Sequence, residues 1–390
     1  MTRPGFRLAL LATLLALIVV LLGAWTRLTH AGLGCPDWPG CYGFLVVPAS
    51  EAQLAHAQLH FPHAPVEAGK GWSEMVHRYF AGALALTILT LAIRAWRARH
   101  LAGQPLKLPL LILGVVIAQA AFGMWTVTLQ LWPQVVVTHL LGGFATLALL
   151  LVLTLRLAGA SPVPGTCPTR LQRLARFALL LVIAQIALGG WVSANYAAMA
   201  CTDLPTCQGR WWPDADFANG FHLDQHIGPN YLGGRLDSEA RTAIHLTHRL
   251  GAVLVATSLT ALAWRLHRGG FRTLSALLMF ALITQLGLGV ANVLLHLPLP
   301  VALAHNAGGA ALLLSMVTID YRLSCSMAQP STPSRILSGI RRRFLSRYPP
   351  ITIDCRTHDP NPENRLHPGR HRGADHGPDR TARAARQECR

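Results

Sequence analysis

The sequence predicts an all-α polytopic membrane protein: eight transmembrane helices arranged as two pseudo-symmetric four-helix bundles. Three observations predict it. The 390-residue chain is 52% hydrophobic and only 13% charged, too apolar for an ordinary soluble domain. Eight apolar stretches reach the roughly 20 residues that a helix needs to cross a bilayer. One outer-loop pattern, C-x-D-x-P-x-C, occurs twice, at Cys35–Cys41 and Cys201–Cys207, and each copy begins ten residues after a tryptophan, Trp25 or Trp191. The shift of 166 residues between the copies also carries Gln119 onto Gln285 and His139 onto His305.

The spans are expected near 7–26, 74–93, 108–128 and 135–155, and again near 177–196, 242–264, 273–294 and 301–321. The first follows Arg3 and Arg7 like a leader peptide. It lacks a small-residue cleavage site and runs into the first signature, so it is read as a retained helix. Residues 1–156 then form the first four-helix half and 177–323 the second. The stretch 157–176, with Pro162, Pro164, Gly165 and Pro168, reads as the linker between them. Residues 324–390, rich in Arg, Pro, Asp and His, cannot bury a core and read as a disordered basic cytoplasmic tail.

Charge sets the expected orientation. Arg94, Arg97, Arg99 and Lys107 follow the second span, Arg156, Arg170, Arg173 and Arg176 the fourth, and Arg265, Arg268 and Arg272 the sixth. If eight spans alternate, all fall on one side with both termini, which is then cytoplasmic. The net charge of +17 is therefore a positive-inside bias plus a basic tail, and calls for no nucleic acid. Of the eight cysteines, the four in the signatures fall outside, whereas Cys167, Cys325, Cys355 and Cys389 fall inside. That distribution predicts disulfides Cys35–Cys41 and Cys201–Cys207 in the oxidising compartment. Thiols used for redox transfer or metal capture are the alternative.

Each half also places two histidines near the outer ends of its spans: His77 and His139 in the first, His248 and His305 in the second. His-Arg opens the second and sixth spans, and His-x-x-Gly-Gly opens the fourth and eighth. The paired glycines are expected to leave room for something flat. Ionisable residues within spans are costly and are functional candidates. One could be a hydrogen-bonding core histidine, but four at equivalent places suit pairs of imidazoles gripping haem iron across a bundle. Zinc would need further ligands that each half lacks. Arg78 and Arg249 follow the histidines and are candidates for haem propionates or for snorkelling to headgroups. The repeat breaks at one position: Glu74 stands where the second half has His245, each three residues before its histidine. Glu74 could be a helix-dipole acid or a carboxylate that moves protons, and His245 a competitor or hydrogen-bonding partner of His248.

With the run Thr26-Arg27-Leu28-Thr29-His30-Ala31-Gly32-Leu33-Gly34-Cys35-Pro36-Asp37-Trp38-Pro39-Gly40-Cys41, Glu-x-x-His-Arg at 74–78 and the histidines at 139, 248 and 305, the chain resembles the haem A synthase family over roughly residues 7–321. The resemblance implies an oxidoreductase of cytochrome c oxidase assembly. In the second half haem b would be resident, with His248 and His305 on its iron. The first half would take haem O as substrate, with His77 and His139 around its iron and Glu74 required for activity. The C8 methyl of haem O would be hydroxylated successively to a geminal diol, which loses water to give a formyl group. The chain would lie in the bacterial inner (plasma) membrane, draw electrons from an unnamed donor, and be compatible with homo-oligomers and docking to haem O synthase. A di-haem b-type, quinol-linked electron carrier is the alternative. It would use the four histidines but leave Glu74 and the twin loops unexplained.

Overall fold

The computed structural model describes residues 3–101, 103–160 and 169–324. Ten helices follow in order: α1 (Phe6–Leu28), α2 (Glu51–His60), α3 (Ala68–Arg97), α4 (Lys107–Thr128), α5 (Pro133–Leu157), α6 (Thr169–Ala194), α7 (Phe217–Gly220), α8 (Ser238–Arg268), α9 (Arg272–Leu294) and α10 (Leu299–Leu323). Among the described residues there is no strand beyond two isolated bridges, Cys41 with Phe44 and Cys207 with Arg210. Eight of the helices, all but α2 and α7, are long and apolar enough to cross a membrane. The tail beyond Ser324, with Cys325, Cys355 and Cys389, lies outside the described residues, as does Cys167 in the linker.

Hydropathy located every span but not every helix end. α3 begins at Ala68, α6 at Thr169 and α8 at Ser238, several residues before the apolar stretches that mark them. The linker expected over 157–176 is therefore helical from Thr169 onward. The reason is physical: hydrophobicity reports the length that lipid covers, and a helix continues past it while its side chains reach water. Arg170, Arg173 and Arg176 can do so on long stems. α2 and α7 lie in the loops and are absent from the sequence reading. α2 is started by a capping box, with Ser50 Oγ accepting from Gln53 N and the Gln53 side chain accepting from Ser50 N.

The spans pack as two closed sets. α1 packs on α3 and α5, with α4 also on α3 and α5; α6 packs on α8 and α10, with α9 also on α8 and α10. Every contact in the first set has a counterpart in the second. Across the seam α5 meets α6 and α10, and α1 meets α10. The core is built mainly of Ala, Leu, Ile and Val, including Ala12, Ile88, Leu147 and Leu150 from the first set and Ala178, Leu259 and Leu262 from the second, with Phe144 and Met316 among them. Small residues let helices approach closely, which matters where lipid supplies no hydrophobic drive between them. Outward faces are apolar instead of charged: Leu86, Ile117, Leu180 and Phe280 are each more than 60% exposed, as a chain solvated by lipid requires. One polar contact ties α1 to α5, the Thr13 and Thr154 hydroxyls at 2.9 Å.

The α5–α6 seam is close because Gly190 carries no side chain. A Cβ there would sit 3.6 Å from Val137 and Leu140 of α5, ordinary contact. Gly190→Ala should therefore leave stability nearly unchanged, whereas Gly190→Leu should overpack the seam by about 1–3 kcal/mol. Thermal unfolding of the two variants in detergent measures the difference.

Candidate functional site

Both signatures fold into the same small loop, and the conserved geometry of the two copies explains the pattern. Cys35–Cys41 and Cys201–Cys207 are disulfides with Cα atoms 4.7 and 4.8 Å apart. The aspartate in each pattern caps the turn that follows the second cysteine. Asp37 accepts from Tyr42 N at 2.6 Å and Gly43 N at 2.7 Å. Asp203 accepts from Gln208 N at 2.7 Å, Gly209 N at 3.0 Å and the Thr206 hydroxyl at 2.5 Å. Gly43 and Gly209 have φ of +83° and +73°, a left-handed conformation that glycine adopts most readily. The Thr206 hydroxyl, then the Gly209 and Gln208 amides, hold the exposed Asp203 carboxyl at about 2. With its pKa depressed in the folded loop, these bonds are present above the ordinary carboxylate range and are lost only as pH falls toward 2.

Each loop is docked on its helix by the side chain three residues before a histidine. Glu74 is buried; its Oε2 accepts from Cys35 N at 2.9 Å and its Oε1 from Arg78 Nη2 at 2.6 Å. His245 is also buried, and its Nδ1 accepts from Cys201 N at 3.4 Å. The Glu74/His245 break in the repeat thus preserves one hydrogen bond and changes the charge. Arg78 adds bonds to the carbonyls of Asp37, Pro39 and Gly40. Arg249 donates to the carbonyls of Thr206 at 2.8 Å and Cys201 at 2.9 Å. Both guanidiniums, expected at propionates or headgroups, are engaged with the loop backbone. His245, expected to compete with His248 or bond to it, accepts a hydrogen bond from the loop instead. Gly34 permits the first loop to lie on α3, since a Cβ there would fall 2.5 Å from the Lys70 carbonyl carbon.

The four span histidines are seated alike. A Cβ on Gly23 of α1 would meet His77 Cε1 at 3.0 Å, and one on Gly123 of α4 would meet His139 Cε1 at 3.3 Å. In the second set, Gly189 of α6 faces His248 Cε1 and Gly289 of α9 faces His305 Cε1, both at 3.2 Å. Gly23 and Gly189, and Gly123 and Gly289, are themselves related by the 166-residue shift. His77 and His139 lie within electrostatic reach of each other, as do His248 and His305. Buried Nδ1 atoms of His77, His139 and His305 have no partner. Among the described residues no three His, Cys, Asp or Glu side chains cluster as for a metal ion. Paired imidazoles, three of the four with an unpartnered nitrogen and each edge-on to a bare glycine, fit the axial positions of a haem.

Several features were not legible beforehand. Gln185 Nε2 lies 3.1 Å from His248 Nδ1 and donates to the His248 carbonyl at 2.9 Å; the equivalent position in the first half is Val19. The room expected beside the paired glycines is taken at Gly142 and Gly308 by the amides of Gln119 and Gln285. Gln285 Nε2 also lies 3.4 Å from His305 Nε2. Over the seam, Arg27 of α1 reaches Tyr196 and the Ser193 carbonyl of the second half. His30, stacked on Tyr196, is held below the usual imidazole range by burial and by the charges of Arg27 and Lys70.

Fold and site define a class: a polytopic helical membrane protein with a pair of glycine-seated histidines and a disulfide loop in each set of four spans. The chain belongs to the COX15-CtaA family, described as cytochrome oxidase assembly protein, whose family model matches residues 6–317. It is 48% identical over 309 residues to a heme A synthase of Shewanella oneidensis, covering 79% of this chain and 93% of that protein. A heme A synthase of Chelativorans sp. is 31% identical, covering 78% and 86% of the two chains. One from Mesorhizobium japonicum is 28% identical, covering 82% and 89%.

Removing the Glu74 carboxylate leaves the part-buried Arg78 with loop carbonyls but no counter-charge, a loss of up to about 3–5 kcal/mol. Glu74→Ala should lower the unfolding midpoint in detergent and make Cys35–Cys41 reducible by a mild thiol well before Cys201–Cys207. Equal reduction rates would show that the acid does not hold the loop.

Proposed function

We propose that the chain is a haem A synthase, an oxidoreductase converting the C8 methyl group of haem O to a formyl group by successive hydroxylations for cytochrome c oxidase assembly. The observation that carries this reading is the repeated seat of imidazole against glycine, His77 and His139 in one half and His248 and His305 in the other. Family membership and the names of the relatives support it. Resident haem b would be held by His248 and His305, and when bound it would supply electron transfer. The tighter tethering of His248 by Gln185 favours the second half as the permanent site. Substrate haem O would be taken by His77 and His139 in the first half, where Val19, bonded to His77 through its backbone, stands in place of the glutamine.

In this reading the chain's own residues do three things. The histidine pairs orient the two porphyrins near one rim of the bilayer, and the disulfide loops close over that rim and exclude water. Glu74, between the loop and Arg78, is the charged group placed next to the reacting half. As a carboxylate one turn from His77 it can hold or move a proton at Oε1 or Oε2 while Arg78 balances its charge. The domain roles follow, with 1–156 as the substrate half and the second half running to 323. The location is the bacterial plasma membrane with both termini cytoplasmic, as the arginine distribution supports. The electron donor, haem O synthase and a second copy of the chain are partners compatible with it.

Expression with a haem O supply, followed by pigment extraction, separates this enzyme from a di-haem electron carrier, since only the enzyme yields haem A. Glu74→Ala should abolish haem A and retain haem b. Glu74→Gln, which keeps an acceptor for Cys35 N, distinguishes proton chemistry from loop anchoring: restored product assigns Glu74 to the loop alone. His248→Ala and His305→Ala should each lose the resident absorbance bands, and retention of the bands would place the ligands elsewhere.

A further inference from the structure

We propose that Arg27, with Tyr196 and His30 beside it, is a carboxylate clamp on the seam between the halves, and that it holds a propionate of the haem seated in the second half. The proposal rests on the reading of His248 and His305 as haem ligands. Its basis is a guanidinium without a counter-charge. Arg27 is partly buried at the end of α1. Its Nη1 donates to Tyr196 Oη at 2.6 Å, and its Nη2 to the carbonyls of Ser193 at 2.5 Å and Ala194 at 3.4 Å. It lies 4.1 Å from the centroid of the Tyr196 ring, on which His30 stacks at 5.5 Å with planes 6° apart. All of these partners are neutral. Arg27 Nε is buried with no partner. Among the described residues no carboxylate lies within 4 Å of Arg27, whereas Arg78 has Glu74.

Placement identifies the missing anion. Ser193 lies four residues, one turn, beyond Gly189, the glycine against His248; Arg27 lies one turn beyond Gly23, the glycine against His77. The guanidinium therefore leaves the first half and ends at the outer rim of the second half's histidine seat. A part-buried cation there, with Nε–H and one Nη1–H unused, is an electrostatic deficit that an anion relieves, and a guanidinium suits a carboxylate. Haem carries two carboxylates on one edge. The clamp also makes the first half a structural partner of the second half's cofactor, because its cation comes from α1 and its tyrosine from the segment after α6.

A cation beside a propionate favours the reduced iron, so its removal lowers the reduction potential. Purified full-length protein and Arg27→Gln, each carrying haem b, are titrated potentiometrically. Both are then reconstituted with the haem whose two propionates are methyl esters. The expected result is a lower potential in Arg27→Gln with free propionates, a smaller fall in Arg27→Lys, and a loss of haem affinity in Arg27→Gln that is confined to the haem with free propionates. An unchanged potential in Arg27→Gln, or an affinity loss equally large with the ester, overturns the clamp; a residue that only braced the seam would weaken both haems alike. If Arg27→Gln does not fold, Tyr196→Phe, which keeps the cation but removes its hydroxyl partner, should show the same ester-sensitive loss of affinity, and no loss overturns the proposal. Wild-type protein that binds no haem b would instead remove the functional reading beneath it.

Discussion

Each span histidine presses the edge of its ring on a glycine of the neighbouring helix, and the remaining architecture follows from that contact. A side chain at Gly23, Gly123, Gly189 or Gly289 would enter the imidazole at 3.0–3.3 Å, closer than most real carbon contacts. The bare glycine backbone therefore sets how near α1 comes to α3, α4 to α5, α6 to α8 and α9 to α10. In a membrane, where association of helices relies on packing and hydrogen bonds, such glycine seats both join the helices and fix the rings. In the proposed reading, two imidazoles fixed in this way would be preorganised for a planar ligand between them, and less of its binding energy would be lost in ordering them.

The loops make a second layer over the same rim. In each half the first cysteine donates its N–H to the side chain one turn above the histidine, and the arginine after the histidine collects loop carbonyls. Loop and histidine are thereby fastened to a single helical turn, so a disturbance in one is felt by the other. That coupling complicates any reading of Glu74 as a catalytic acid alone, since it is also the loop's anchor. The Glu74/His245 difference keeps the anchor and alters the charge, which is how one scaffold can be duplicated and then specialised.

The halves are joined at two depths by different chemistry. Within the apolar region α5, α6, α1 and α10 meet through small and aliphatic residues. At the rim, the connection is polar: Arg27 with Tyr196 and Ser193, and Trp132 Nε1 donating to the Gln225 carbonyl at 3.1 Å. Polar links at the rim add direction to a seam that apolar packing leaves free to slide.

The eight spans, the two disulfides and the location of the four histidines were legible in the amino-acid order, because hydrophobic length, duplication and residue chemistry are local properties that survive without coordinates. The partners of those residues were not. Whether Arg78 turns to a propionate or to the Asp37 carbonyl, whether His245 meets His248 or Cys201, and that Gln185 tethers only one of the four imidazoles depend on which helices lie side by side. The same holds for Arg27 and Tyr196, 169 residues apart. Spacing along the chain carries no information about contacts across a seam, since those arise only when two helix surfaces are brought to the distance their smallest residues allow.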